Sequence, residues 1–254
     1  MTTLRVALVQ EASDTEPAVN RARLAQVVPE GHDLVVLPEA FARDFGPAGS
    51  DVSADAEAVD GPFGVELARV ADERRTTVVA GMFETGPDPQ RPWNTLLVRG
   101  AAHAEYRKIH LYDSFGYRES DRLSAGDPTP ALVDVGGVRV GLMTCYDLRF
   151  PELARLLVDQ GAELLLVPAA WVAGERKVEH WRTLLRARAI ENTVYVAAAG
   201  QPAPRYSGHS MLVDPLGDVL AEAGPDAGLV HGVVDLARLA EARRTNPSLA
   251  NRRL

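Results

Sequence analysis

Two octapeptides of the same make-up, LVVLPEAF at 34–41 and LLLVPAAW at 164–171, constrain this chain more than any other feature. Each is a continuous apolar run that stops at a proline. Such runs read as strands covered on both faces, as inside a parallel sheet. Each also follows a strand and a helical stretch. Before the first come a strand at Leu4–Gln10 and a helix at Pro17–Val28, with Val19, Leu24, Val27 and Val28 as its apolar seam. Before the second come a strand at Val138–Met143 and a helix that opens on Pro151 and stops at Gly161. Proline suits a first helical residue, and glycine suits the residue just past the end. A helix between two apolar strands implies a right-handed crossover and parallel neighbours.

The same order continues after each octapeptide. Helix 65–75 and strand 76–83 follow the first; helix 178–191 and strand 194–199 follow the second. Trp93–Arg99 and Ala104–Ile109 then read as antiparallel strands, as do Ser210–Val213, Val219–Glu222 and Leu229–Val234, before a last helix at Leu236–Thr245. Two halves of like layout predict one domain over 1–254 with an approximate internal two-fold. The expected α/β architecture is a four-layer αββα sandwich, two mixed sheets face to face with helices outside. With 46% apolar residues in 254, the core is sizeable. Long polar loops at 41–62 and 112–130 are of a length that usually carries function.

Charge narrows the function. There are 27 basic and 35 acidic residues, a net of −8. Without a basic excess, neither nucleic acid nor an anionic membrane is an expected partner. No apolar stretch is long enough to span a bilayer, and no signal peptide is evident at the start. A single cysteine excludes an internal disulfide and suits the cytoplasm. The six histidines show no metal-ligand spacing, and no phosphate-binding glycine loop joins a strand to a helix. Neither metal nor cofactor is expected.

The cysteine itself, Cys145, falls between the strand Val138–Met143 and the helix opening at Pro151. A sharp strand-to-helix turn holds a nucleophile exposed, beside unpaired backbone N–H groups. A lone cysteine is otherwise a small buried hydrophobe. Glu39 and Lys108 also fall at ends of predicted strands, and Glu119 lies in the loop beyond Lys108.

Together LPEAF, YRKIHLYD, RES and GLMTCYDLRFPEL resemble the carbon–nitrogen hydrolase (nitrilase) superfamily, as do HWRTLLRARAIENTVYVAAAGQ and GHSMLVDPLGDVLA in the second half. The resemblance covers essentially the whole chain. It implies the αββα sandwich and a Glu-Lys-Cys site, with Cys145 as nucleophile, Glu39 as general base and Lys108 as the cation beside a developing oxyanion. Glu119 corresponds to a second acid that positions Lys108. The physical need is plain: a free thiol has a pKa of roughly 8.5, so a base and an ammonium must make it reactive. Tyr146 N–H is the expected second oxyanion donor.

Cys145-Tyr146-Asp147 is similar to the amidase branches, and the pattern is closest to the omega-amidase and deaminated-glutathione amidase group. That implies release of ammonia from a small, carboxylate-bearing amide. In that group the residue at Arg149 binds a substrate carboxylate; alternatively Arg149 pairs with Asp147 or Glu152 to brace the turn. Trp171 is expected as a pocket wall. The segment 170–181 departs from the group: it is longer by one residue, more charged, and has Trp in place of Phe. Alternatives are a carbamoyl or β-ureido acid hydrolase, a nitrilase, or a non-catalytic small-molecule binder of the same fold. The resemblance also implies a homodimer or larger homo-oligomer, paired through helices flanking the cysteine segment.

Overall fold

A computed structural model describes residues 2–253. The first half runs β1 (Thr3–Gln10), α1 (Pro17–Val27), β2 (Leu34–Val36), α2 (Pro62–Arg74), β3 (Thr77–Glu84), β4 (Trp93–Arg99) and β5 (Ala104–Arg107). A two-strand hairpin, β6 (Asp113–Ser114) and β7 (Tyr117–Arg118), separates the halves. The second runs β8 (Ala131–Val135), β9 (Val138–Leu142), α3 (Pro151–Asp159), β10 (Leu164–Leu166), α4 (Lys177–Asn192), β11 (Tyr195–Ala198), β12 (Met211–Val213) and β13 (Val219–Glu222). The last elements are β14 (Gly228–Asp235) and α5 (Leu236–Thr245).

Two six-stranded mixed sheets form, in the orders β14-β1-β2-β3-β4-β5 and β13-β12-β11-β10-β9-β8. Side-chain alternation then sorts the layers. Leu4, Val6 and Leu8 of β1, with Leu34 and Val36 of β2, join a core shared with Val138, Val140, Leu142, Leu164 and Leu166 of the other sheet. Ala7, Val9 and Val35 face the opposite way and pack on Leu24 of α1 and Leu67 and Val70 of α2. Burial on both faces explains why these strands read as unbroken apolar runs. Each such side chain contributes about 1.5–3 kcal/mol on leaving water.

Three details differ from the sequence reading. β8 lies within a stretch that the sequence leaves unassigned; it is an edge strand joined to β9 by a two-residue turn, Gly136-Gly137, both with positive φ. β14 does not extend the β12–β13 ladder: it crosses to the first sheet and pairs antiparallel with all of β1, Leu4 opposite Val234. On α1, Val19 is exposed and Asn20 is the buried neighbour of Leu24. The Asn20 amide donates to the carbonyls of Asp14 (2.8 Å) and Ala42 (3.0 Å), which ties the loop after β2 to the helix. Among the described residues, no helix is long and apolar enough to cross a membrane.

Candidate active site

Glu39, Lys108 and Cys145 follow β2, β5 and β9, so the ends of strands in both facing sheets converge on one cavity. Glu39 is seated by a close backbone approach. A Cβ on Gly81 of β3 would lie 2.4 Å from the amide nitrogen of Ala40 and 2.8 Å from Glu39 Cα, so only glycine fits. Both Glu39 oxygens are held. Oε1 accepts from Asn94 Nδ2 (2.7 Å) and Lys108 Nζ (3.1 Å), and Oε2 accepts from the N–H of Ala170 (2.7 Å). Gln201 Nε2 donates to the Glu39 carbonyl (3.0 Å).

Lys108 Nζ also donates to Glu119, at 3.0 Å and 2.8 Å to its two oxygens. Glu119 starts a single 3₁₀ turn after β7, and its Oε2 also accepts from the N–H of Tyr112 (2.5 Å). All three side chains are 2% exposed or less. Removing an ammonium from water would by itself lower its pKa, but Glu119 and then Glu39 outweigh this and hold Lys108 well above the ordinary lysine value. Burial, followed by the nearby charge of Glu39 against the opposing one of Lys108, keeps Glu119 above the ordinary carboxylate range.

Cys145 opens a short 3₁₀ segment, Cys145–Arg149, with φ +47. A non-glycine residue in the left-handed region is costly and recurs where a reactive side chain must be aimed. Its N–H is spent on the carbonyl of Pro168 (2.9 Å), in the second octapeptide. The turn is pinned from behind by Asp147, fully buried, which accepts from Thr144 N–H (2.9 Å), Tyr106 OH (2.6 Å) and His110 N–H (3.1 Å). His110 Nδ1 lies 2.7 Å from the same carboxylate, and its ring stacks on Phe150. Burial first, then the charge of Glu39, pushes the Cys145 thiol well above its ordinary value, with Lys108 opposing.

The cavity is about 840 Å³ and includes Glu39, Lys108, Glu119, Cys145, Tyr146 and Trp171 in its wall. Trp171 is held there by its Nε1, which donates to the carbonyl of Lys177 (2.9 Å). Arg149 is not in that wall. Its guanidinium lies over the Trp171 ring (4.9 Å), with one Nη 3.4 Å from His180 Nδ1. It pairs with neither Asp147 nor Glu152: the Asp147 oxygens are already filled by the donors above, and among the described residues Arg149 makes no ion pair. Asn94, Tyr112, Asp147 and Lys177 have no site role in the sequence reading. Tyr112 and Asp147 lie within the motifs YRKIHLYD and CYD, and Lys177 within the charged segment before the predicted helix; Asn94 carries no signal.

No group of three or more His, Cys, Asp or Glu among the described residues is arranged to hold a metal. The arrangement is one suited to covalent catalysis on a carbonyl: a thiol, an adjacent base, and a fixed cation in a site shielded from water.

The profile of the carbon–nitrogen hydrolase family matches residues 5–244. A deaminated glutathione amidase of Escherichia coli O157:H7 is 42% identical over 233 residues, 91% of this chain and 88% of that protein. An omega-amidase of Homo sapiens is 34% identical over 270 residues, covering 100% of this chain and 96% of its own. A crystal structure of a CN-hydrolase superfamily protein from Xanthomonas campestris, with an arsenic adduct in its active site, superposes with a TM-score of 0.89 at 31% identity. It covers 100% of this chain and 98% of that one. With the family profile running through both sheets and the cavity between them, this chain belongs to the carbon–nitrogen hydrolase family, hydrolases of carbon–nitrogen bonds other than peptide bonds.

Proposed function

We propose that the protein is a cysteine-dependent amidase that releases ammonia from a small amide bearing a carboxylate. One observation carries the mechanism: a buried ammonium fixed between two carboxylates faces the same cavity as the Cys145 thiol. Glu39 takes the thiol proton as the sulfur attacks the amide carbon. The tetrahedral oxyanion is met by Lys108 Nζ and by the N–H of Tyr146, the next donor after the spent N–H of Cys145. The C–N bond breaks, Glu39 returns its proton to the leaving nitrogen, and ammonia departs from a thioester. Water, deprotonated by Glu39, then attacks the thioester; the carboxylic acid product leaves and the thiol is restored. Glu119 keeps Lys108 in place and charged. Trp171 is a wall of the substrate pocket, and Arg149 backs it.

The substrate class rests on the relatives, named deaminated glutathione amidase and omega-amidase. The test is ammonia release from a panel of small amides, ureido acids and nitriles, with carbon dioxide measured alongside. An amidase yields ammonia alone and leaves a thioester on Cys145 visible by mass spectrometry after rapid acid quench. Full activity in Cys145→Ala would overturn the mechanism. Residues 1–254 act as one unit in this reading. Assembly as a homodimer fits the exposed apolar Leu156 on α3 and Ile190 on α4, the helices flanking the cysteine segment; sedimentation tests it. Residence in the cytoplasm fits the free thiol and is tested by cell fractionation.

A further inference from the structure

The same cavity carries a second cation that the chemistry above does not use. Lys177 is the first residue of α4, and its Nζ donates to the hydroxyl of Tyr112 (3.0 Å). The ammonium sits over the rings of Phe115 (4.1 Å), Tyr112 (5.2 Å) and Trp171 (5.9 Å). All four residues are part of the cavity wall. Aromatic faces hold a cation in place without neutralising it.

The other cations of this wall are spoken for. Lys108 lies between Glu39 and Glu119, Arg205 Nη1 is 2.6 Å from buried Asp44, and the solvent-exposed Arg176 has its Nε 3.6 Å from Glu175. Lys177 has no carboxylate partner among the described residues. Its place in the helix is also wrong for stability. A helix N-terminus carries partial positive charge and favours acids, so a lysine there opposes the dipole. Breaches of a local rule are found at functional positions. The main chain of Lys177 also fixes the pocket wall, since its carbonyl takes the Trp171 N–H.

We propose that Lys177 receives the carboxylate of the substrate and so sets the preference for amides with an anionic far end. This rests on the amidase reading. Tyr112 links this ammonium to the buried cluster: its backbone N–H is on Glu119 and its hydroxyl is on Lys177. Cys145 and Lys177 line the same cavity, so a substrate held at the thiol has Lys177 in its pocket. In a chain of net charge −8, an anionic substrate needs a local cation to be drawn in.

The test compares butanedioic acid monoamide with butanamide, its uncharged counterpart, in wild type, Lys177→Met and Lys177→Arg. Loss of a charge-assisted hydrogen bond predicts that the ratio of kcat/KM, charged over uncharged, falls about 10–100-fold in Lys177→Met. The loss should lie mainly in KM, and Lys177→Arg should recover part of it. An unchanged ratio in Lys177→Met, or a wild type without preference for the charged amide, overturns the assignment and leaves the amidase reading intact. Calorimetry of the monoamide on Cys145→Ser, with and without Lys177→Met, separates the two ideas. If wild type hydrolyses no amide, the amidase reading fails, yet heat of binding that vanishes with Lys177→Met still supports the anion site. No heat, or equal heat in both, overturns it.

Discussion

The N–H of Ala170 donates to Glu39 Oε2 at 2.7 Å, so a residue two past the proline of the second octapeptide fixes the carboxylate supplied by the first. The two halves of the chain thus meet at one side chain. Because Oε1 is filled by Asn94 and Lys108, neither oxygen of Glu39 faces an acceptor. Glu39→Gln must therefore set its new NH₂ against a donor. A destabilisation of about 1–3 kcal/mol is expected by thermal melting, with turnover down about 10²–10⁴-fold by ammonia release. The same variant loses the charge that raises Cys145. Its thiol should therefore alkylate faster with iodoacetamide at mildly alkaline pH while turnover falls. A merely structural glutamate would not produce both changes together.

Alkaline pH should lower the stability of the protein over two successive windows. The Cys145 thiol is raised above its ordinary 9.0, so the folded state keeps a proton that the unfolded chain gives up. That share of stability is complete below pH 9.0 and is lost as pH rises through the folded value. Lys108 is raised above 10.5, so its share is complete below 10.5 and lost higher still. Glu119 is raised too, but its share is complete only below 4.5 and is lost as pH rises from there through its folded value. Denaturant midpoints measured against pH should decline from about 9 in wild type, and Cys145→Ala should delay the onset of that decline.

Gly81→Ala places a methyl against the backbone of Glu39 and Ala40. Overpacking of this kind costs about 1–3 kcal/mol. The expected result is a folded protein with a lower melting temperature and a larger proportional loss in kcat than in KM, because Glu39, the proposed base, moves. An enzyme with wild-type kcat would show that β3 yields instead.

Asp147→Asn replaces two acceptor oxygens with one and turns an NH₂ toward existing donors. The buried partners include Tyr106 OH and the N–H of Thr144. A hydrogen bond to a charged group contributes about 1.5–3 kcal/mol, and a loss of that order is expected in denaturant melts. The turn that aims Cys145 loosens, so thioester formation after rapid quench should slow.

Several features were legible because they are local. The apolar runs marked β2 and β10, which lead to Glu39 and Ala169, since burial on both faces leaves no room for polar alternation. Glycine and proline marked the ends of α3. β8 was also within reach. Gly136-Gly137 between two β-branched runs is a hairpin signal, weakened by Asp134 and the half-buried edge positions that dilute the pattern. The pairing of β14 with β1 joins Thr3 to Asp235, and nothing local in either strand encodes so distant a partner.

At the site, the sequence by itself determined which groups stand at strand ends: Glu39, Lys108 and Cys145, with Glu119 close behind. Only the tertiary structure decided what surrounds them. It placed Ala170 and Asn94 on Glu39, Asp147 behind the cysteine turn, Arg149 outside the cavity wall, and Lys177 inside it. The physical reason is range. Strand ends follow from the spacing of neighbouring residues, whereas a hydrogen bond across 131 positions or the choice between two nearby cations depends on how two sheets and their loops come to lie against each other.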